Sequence, residues 1–166
     1  MNKDLVTYLT IFKKECRYYF KYESDLKREK LELEEVLTQI TNIRSPITDR
    51  VGGHQVTTHD DLLVSLIEVK SETEYRIDYY EAILDWIKDV IKSIPSPAYR
   101  AITWQTLVQA KSRTELMIYY DVDPDYVYRM RDKFITQSLS NGFIEKYNDI
   151  QNKKMKSKWL ALYEKN

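Results

Sequence analysis

Apolar residues recur along the N-terminal part of the chain in seven-residue steps: Leu5, Phe12, Tyr19, Leu26, Leu33 and Ile40. Leu9, Cys16 and Leu37 follow three of these by four residues, while Glu23 and Lys30 interrupt the second row. Such spacing lays one stripe along an α-helix and predicts a single long helix ending at Arg44-Ser45-Pro46, because proline disfavours helix at the residue before it. At about 1.5 Å per residue the rod is roughly 60 Å long and needs a partner to cover its stripe. A loop is predicted from residue 44 to 59, through Gly52-Gly53. A second long helix then starts at Asp60 or a neighbouring Thr or His and runs to about Ser93. Leu66, Tyr80, Ile87 and Ile94 keep heptad spacing on it with Thr73 in the gap, and Leu63, Ile77, Leu84 and Ile91 form a second row around Lys70. Two rods joined by a loop can fold back antiparallel or pair with a second copy, and the loop length permits both.

Ile94-Pro95-Ser96-Pro97 breaks the second helix, with Ser96 as cap and Pro97 at the first position of a third helix over 98–111 carrying Ile102, Trp104, Leu107 and Val108. Ser112 precedes Glu115 at capping-box spacing, and Leu116, Met117 and Tyr120 give the following short helix an apolar face. That helix stops at Asp121-Val122-Asp123-Pro124, where Tyr120 or Asp121 takes the left-handed position, Asp123 caps a new helix and Pro124 opens it. On the new helix Val127, Met130, Phe134, Ile135 and Leu139 form the inner stripe up to the left-handed stop at Asn141-Gly142. Asp125, Tyr126, Tyr128, Arg129, Asp132 and Lys133 lie on the opposite side. Two short helices meeting at a tight turn, one with a polar outer face, have the layout that reads a DNA major groove.

The run Glu115-Leu116-x5-Val122-Asp123-x3-Val127-x-Arg129-x-Arg131-x2-Phe134 resembles the region-4-like helix-turn-helix of sigma factors and of phage late-transcription regulators of the RinA and ArpU type. Upstream, Asp49-Arg50-Val51-Gly52-Gly53 resembles the Asp-x-x-Gly-Gly linker of those regulators. The order of parts is similar over roughly residues 15 to 140. The resemblance implies a phage or mobile-element protein that controls late-gene transcription, with double-stranded DNA and RNA polymerase as partners.

Three Gly and four Pro in 166 residues, with 43% hydrophobic content, argue for an all-α fold with a buried core. The expected order is a long-helix oligomerisation region over 1–94, a helix-turn-helix domain over 95–142 and a basic helical tail over 143–166. Residues 1–94 hold 14 Lys and Arg against 18 Asp and Glu, whereas residues 95–166 hold 12 against 8, so the basic half is the one carrying the reader. The tail adds Lys153, Lys154, Lys156 and Lys158 beside Trp159 and Leu160, suited to gripping phosphate or to lying on the domain as an amphipathic helix. No long apolar run or signal-peptide core is present, so a cytoplasmic protein with no membrane partner is expected. The single cysteine, Cys16, sits on an apolar stripe as a packed thiol.

Catalytic signatures are thin. His54 and His59 beside Asp60 and Asp61 match no metal-ligand spacing, Glu32, Glu34 and Glu35 form a solvated charge run, and no glycine-rich phosphate loop exists. The expectation is a non-enzymatic protein with no cofactor or metal. Fourteen tyrosines include the adjacent pairs Tyr18/Tyr19, Tyr79/Tyr80 and Tyr119/Tyr120, in which one ring can pack while the next meets solvent. The leading expectation is a homodimeric DNA-binding regulator in which Tyr128 and Arg129 contact bases, Tyr126 and Lys133 assist, and Arg113, Arg131 and Lys111 meet phosphate. The alternatives are a helical protein-protein adaptor and a small terminase-like packaging subunit, though in the latter the reader usually precedes the oligomerising helices.

Overall fold

The computed structural model describes residues 3–44 and 54–154, and it is all-α over them. The helices are α1 (Lys3–Arg17), α2 (Tyr19–Arg44), α3 (His54–Lys92), α4 (Pro97–Thr103), α5 (Arg113–Tyr120), α6 (Pro124–Ser138) and α7 (Ile144–Lys154). The single N-terminal rod is thus divided at Tyr18, whose N–H reaches only three residues back, to the Glu15 carbonyl at 3.1 Å. α3 begins at His54, earlier than Asp60 and inside the predicted loop. The Asp49-to-Gly53 linker lies outside the described residues, as does the tail from Met155 onward. Among the described residues no helix is long and apolar enough to cross a membrane.

The junctions after α3 follow their capping chemistry. Ser96 accepts from the Tyr99 N–H, Pro97 opens α4, and α4 passes into a π-helical turn, Trp104–Val108. The Gln109 N–H returns to the Trp104 carbonyl at 3.0 Å and Ala110 takes a left-handed φ of 53°, so the helix expected to reach Lys111 stops short. A kink over Leu139–Phe143, where Asn141 and Gly142 leave helical backbone angles, joins α6 to α7. Gly142 has φ 93° there, and a Cβ added to it would meet nothing within 4 Å; the backbone angle alone asks for glycine.

The chain forms two compact units, which do not follow the boundary expected at Pro95. Unit 1 gathers residues 3–23 and 82–151. Phe12, Cys16, Ile83, Ile87, Val90, Ile94, Ile135 and Leu139 are fully buried in it. Trp86 meets Phe12 edge-on at 5.6 Å and Tyr147 at 4.7 Å, and its indole N–H donates to the Phe143 carbonyl at 2.8 Å. Glu15 is buried beside Cys16, and its carboxylate accepts from the Tyr22 and Tyr147 hydroxyls at 2.5 and 3.1 Å. Burial, reinforced by the Glu15 charge, pushes the Cys16 thiol far above its ordinary range, against an opposing pull from Arg131.

Unit 2 comprises residues 24–44, 54–81 and 152–154 of those described. Here α2 and α3 run in opposite directions: Glu29 meets Arg76, Lys30 meets Glu81 at 3.1 Å, and Val36 and Ile40 pack on Leu66 with Ile43 and Leu63 beside them. The stripe through Leu66, Thr73 and Tyr80 is buried, as the heptad spacing implies. His59 Nε2 donates to the Ile43 carbonyl at 2.9 Å and satisfies an orphan acceptor near the end of α2. Arg76 Nε donates to Glu29 Oε2 at 2.9 Å and Nη2 to Thr73 Oγ1 at 3.2 Å, with all three residues at most 4% exposed. Burial, then the Asp25 and Glu29 carboxylates, push the Tyr80 phenol up to about 12.

Two measurements test this packing. Arg76→Ala leaves the buried Glu29 charge with only the longer contact to Arg28 at 3.8 Å, so chemical denaturation should show a loss of about 3 kcal/mol, most of it recovered in Arg76→Met with Glu29→Leu. Cys16 should resist a thiol reagent at pH 8 in the native protein and react fully once unfolded; rapid native labelling would contradict its burial.

Candidate nucleic-acid interface

α5 and α6 are separated by a capped break. The Ser112 hydroxyl accepts from the Glu115 N–H at 3.3 Å while the Ser112 N–H donates to Glu115 Oε2 at 3.1 Å, completing the capping box. Asp121 takes the left-handed position with φ 48°, and its N–H donates to the Met117 carbonyl. Aspartate tolerates this conformation better than tyrosine, which decides between Tyr120 and Asp121. Asp123 then accepts from the Asp125 N–H at 3.2 Å, and Pro124 opens α6.

α6 is held on its inner side. Val127, Arg131, Ile135 and Ser138 are buried, Phe134 stacks near Tyr99 at 5.0 Å, and the helix packs on α1 and α4. Asp132 fastens it: the carboxylate accepts from Lys13 of α1 at 2.7 Å and from Arg131 Nε at 3.0 Å. Asp132 is therefore turned toward its own unit and does not belong to the outer face.

The predicted site residues separate into three groups. Arg129 and Lys133 are exposed and, among the described residues, have no ion-pair partner; Tyr126 is exposed beside them, its ring 5.8 Å from the Arg129 guanidinium. Gln137, which the sequence reading passed over, continues this row one turn on, although its i+4 spacing from Lys133 was visible. Arg113 is exposed but paired with Asp125 at 2.7 Å, and Lys111 is half-buried with its ammonium 5.7 Å from the Tyr119 ring. Tyr128 is half-buried between the guanidinium groups of Arg113 and Arg131, at 5.8 and 4.7 Å.

Arg131 corrects the sequence reading. It is 7% exposed, and besides Asp132 its guanidinium donates to Thr106 Oγ1 at 3.0 Å. Lying four residues from both Val127 and Ile135, it falls on the buried stripe and cannot share a surface with Arg129. It braces the helix and is not available to phosphate.

On α5 only Leu116 is buried, and Tyr120 is tied by its hydroxyl to Gln105 at 3.1 Å. Met117, Ile118 and Tyr119 are 54, 79 and 77% exposed, so Met117 does not join the inner face as its spacing suggested. A cleft of about 250 Å³ opens beside them, lined by Gln105, Lys111, Glu115, Leu116, Ile118 and Tyr119. Among the described residues no cluster of three or more His, Cys, Asp or Glu is placed to hold a metal ion.

Comparison with protein-family models, with curated proteins and with solved structures gives no match.

The caps make a measurable claim. Ser112→Ala and Asp123→Ala should each destabilise the protein by about 1 kcal/mol in thermal or chemical unfolding, and no loss from either would mean the break between α5 and α6 is set elsewhere.

Proposed function

We propose that this chain is a sequence-specific DNA-binding transcription regulator of the phage or mobile-element kind, acting on late-gene promoters as a homodimer. α6 is the reading helix and α5 precedes it across the turn. One observation carries the reading: α6 buries one stripe and presents Tyr126, Arg129, Lys133 and Gln137 on the other, with Arg129 and Lys133 lacking ionic partners among the described residues. Arg129 suits bidentate donation to guanine O6 and N7, and Lys133 suits a phosphate. Arg113 adds a phosphate contact by exchanging Asp125, since an exposed ion pair contributes at most about 1 kcal/mol and yields to a stronger anion. Tyr128, expected to contact bases, is half-buried against Arg113 and Arg131 and instead positions the helix together with Arg131. The pairing of Asp132 with Lys13 lowers the repulsion that acid would exert on phosphate.

A helical adaptor is the second reading, favoured by the exposure of Met117, Ile118 and Tyr119, an apolar surface suited to a protein partner such as RNA polymerase. Selection from a random DNA pool followed by salt-varied gel shifts separates the two. A regulator enriches one sequence and loses affinity steeply with salt, whereas an adaptor enriches none. Arg129→Ala should cost about 1 to 3 kcal/mol on the selected site and relax one base position, and Lys133→Ala should lower the salt slope by about 1 with the preference unchanged. Unchanged affinity and footprint in Arg129→Ala would remove the reading role. Sedimentation showing only monomer at micromolar concentration would remove the two-fold mode.

A further inference from the structure

The outward side of α5 is apolar in its middle and oppositely charged at its two ends. Leu116 is buried and Tyr120 is tied to Gln105, so the inward direction lies between them, and at about 100° per residue the outward direction falls on Ile118. Ile118, Tyr119, Met117 and Val122 are 79, 77, 54 and 44% exposed. The cleft of about 250 Å³ lies directly beside this ridge, with Lys111, Glu115 and Tyr119 in its wall. A ridge next to a recess on one surface is what a two-fold contact requires, since each copy then offers both halves of the fit. The charges follow the same rule. Lys111, at the N-terminal end, touches only the Tyr119 ring and has no ion-pair partner among the described residues, while Asp121 and Asp123 are exposed at the C-terminal end. Arg113 is turned to Asp125 of α6 and lies on the flank.

Building on the homodimer inferred above, we propose that this face of α5 binds the same face of a second copy, the two helices lying antiparallel about a two-fold axis beside residues 116 and 117. In that register Lys111 of each copy approaches Asp121 and Asp123 of the other, and Ile118 lies over Thr114. Glu115 Oε1, the oxygen the Ser112 cap leaves free, comes within reach of the other copy's Tyr119 hydroxyl. A parallel pair would set Lys111 against Lys111 and acid against acid, which Coulomb repulsion disfavours. The apolar ridge with its charged rim covers roughly 500 Å² per copy, about 1,000 Å² for the pair, which is the lower limit of a specific interface. The dimer is accordingly a weak one, and reversing its rim charges is enough to open it.

Sedimentation of the full chain without DNA, at micromolar to tens of micromolar concentration, tests this separately from any DNA-binding role. The parent chain should form a dimer. Ile118→Asp, at a solvent-facing position, should raise the dimer Kd at least tenfold without changing the thermal unfolding of the monomer. Lys111→Glu should do the same, as should Asp121→Lys with Asp123→Asn, in which asparagine keeps the α6 cap. An equimolar mixture of the Lys111→Glu chain and the Asp121→Lys, Asp123→Asn chain should recover the dimer, because antiparallel pairing then sets opposite charges together at both ends. A parent dimer indifferent to these substitutions would overturn the proposal while leaving the homodimer intact, and so would substitutions that weaken it with no recovery on mixing. A monomeric parent would overturn it and leave the surface to a different protein, whereas enrichment of a DNA sequence by the same chain is read independently.

Discussion

Asp132 sits where three demands on α6 meet. Its carboxylate takes a proton donor from Lys13 on α1 and a second from Arg131 on its own helix, while Arg131 reaches on to Thr106 in the π-helical turn after α4. A helix held only by Val127, Ile135 and Phe134 could roll on its apolar stripe, because dispersion and hydrophobic burial have little directionality. Charge-assisted hydrogen bonds to two neighbouring elements fix its rotation about its own axis. That rotation determines which side chains face outward, so the exposed row of Tyr126, Arg129, Lys133 and Gln137 is a consequence of contacts made on the far side of the helix.

Local chemistry was legible in the sequence. The Ser96-Pro97, Ser112-Glu115 and Asp123-Pro124 signals each concern atoms within a few residues, and each cap forms as those residue types require. The heptad rows were legible in part: Phe12, Tyr19, Ile40, Leu66 and Ile87 go inward, whereas Leu37 of the second row is 41% exposed and its neighbour Val36 is buried instead. What the sequence concealed depends on distant partners. Nothing near Lys13 announces that it will meet Asp132, and the grouping of residues 3–23 with 82–151 is a choice among long-range packings that local periodicity does not encode. Arg131 is an intermediate case. Its place on the buried stripe followed from spacing alone, but a charged side chain argues for the surface until Asp132 and Thr106 supply partners for its donors.

The same distinction applies to the candidate site. Arg129 and Lys133 could be chosen from helical spacing because nothing had to meet them. Arg113 and Lys111 could not be placed so easily: each has a flexible stem, and each finds a neighbour, Asp125 in one case and the Tyr119 ring in the other. Such contacts are weak and exchangeable, so they shape the resting electrostatics of the turn without committing either cation.

The paired tyrosines carry the argument one step further. Neighbours on a helix point about 100° apart, so a helix with one covered side buries one ring of a pair and exposes the other. Tyr18 and Tyr19 behave so, at 42 and 4% exposed, and Tyr119 is exposed while Tyr120 reaches Gln105. Tyr79 and Tyr80 are both buried, at 7 and 8%. Tyr80 faces the acidic residues of α2, which together with burial raise its pKa, whereas Tyr79 lies under Lys154. α3 is therefore covered from two directions at this point, by different parts of the chain. Two helices alone cannot do this, so the burial of both rings draws on the end of α7 at Lys154 as well as on α2.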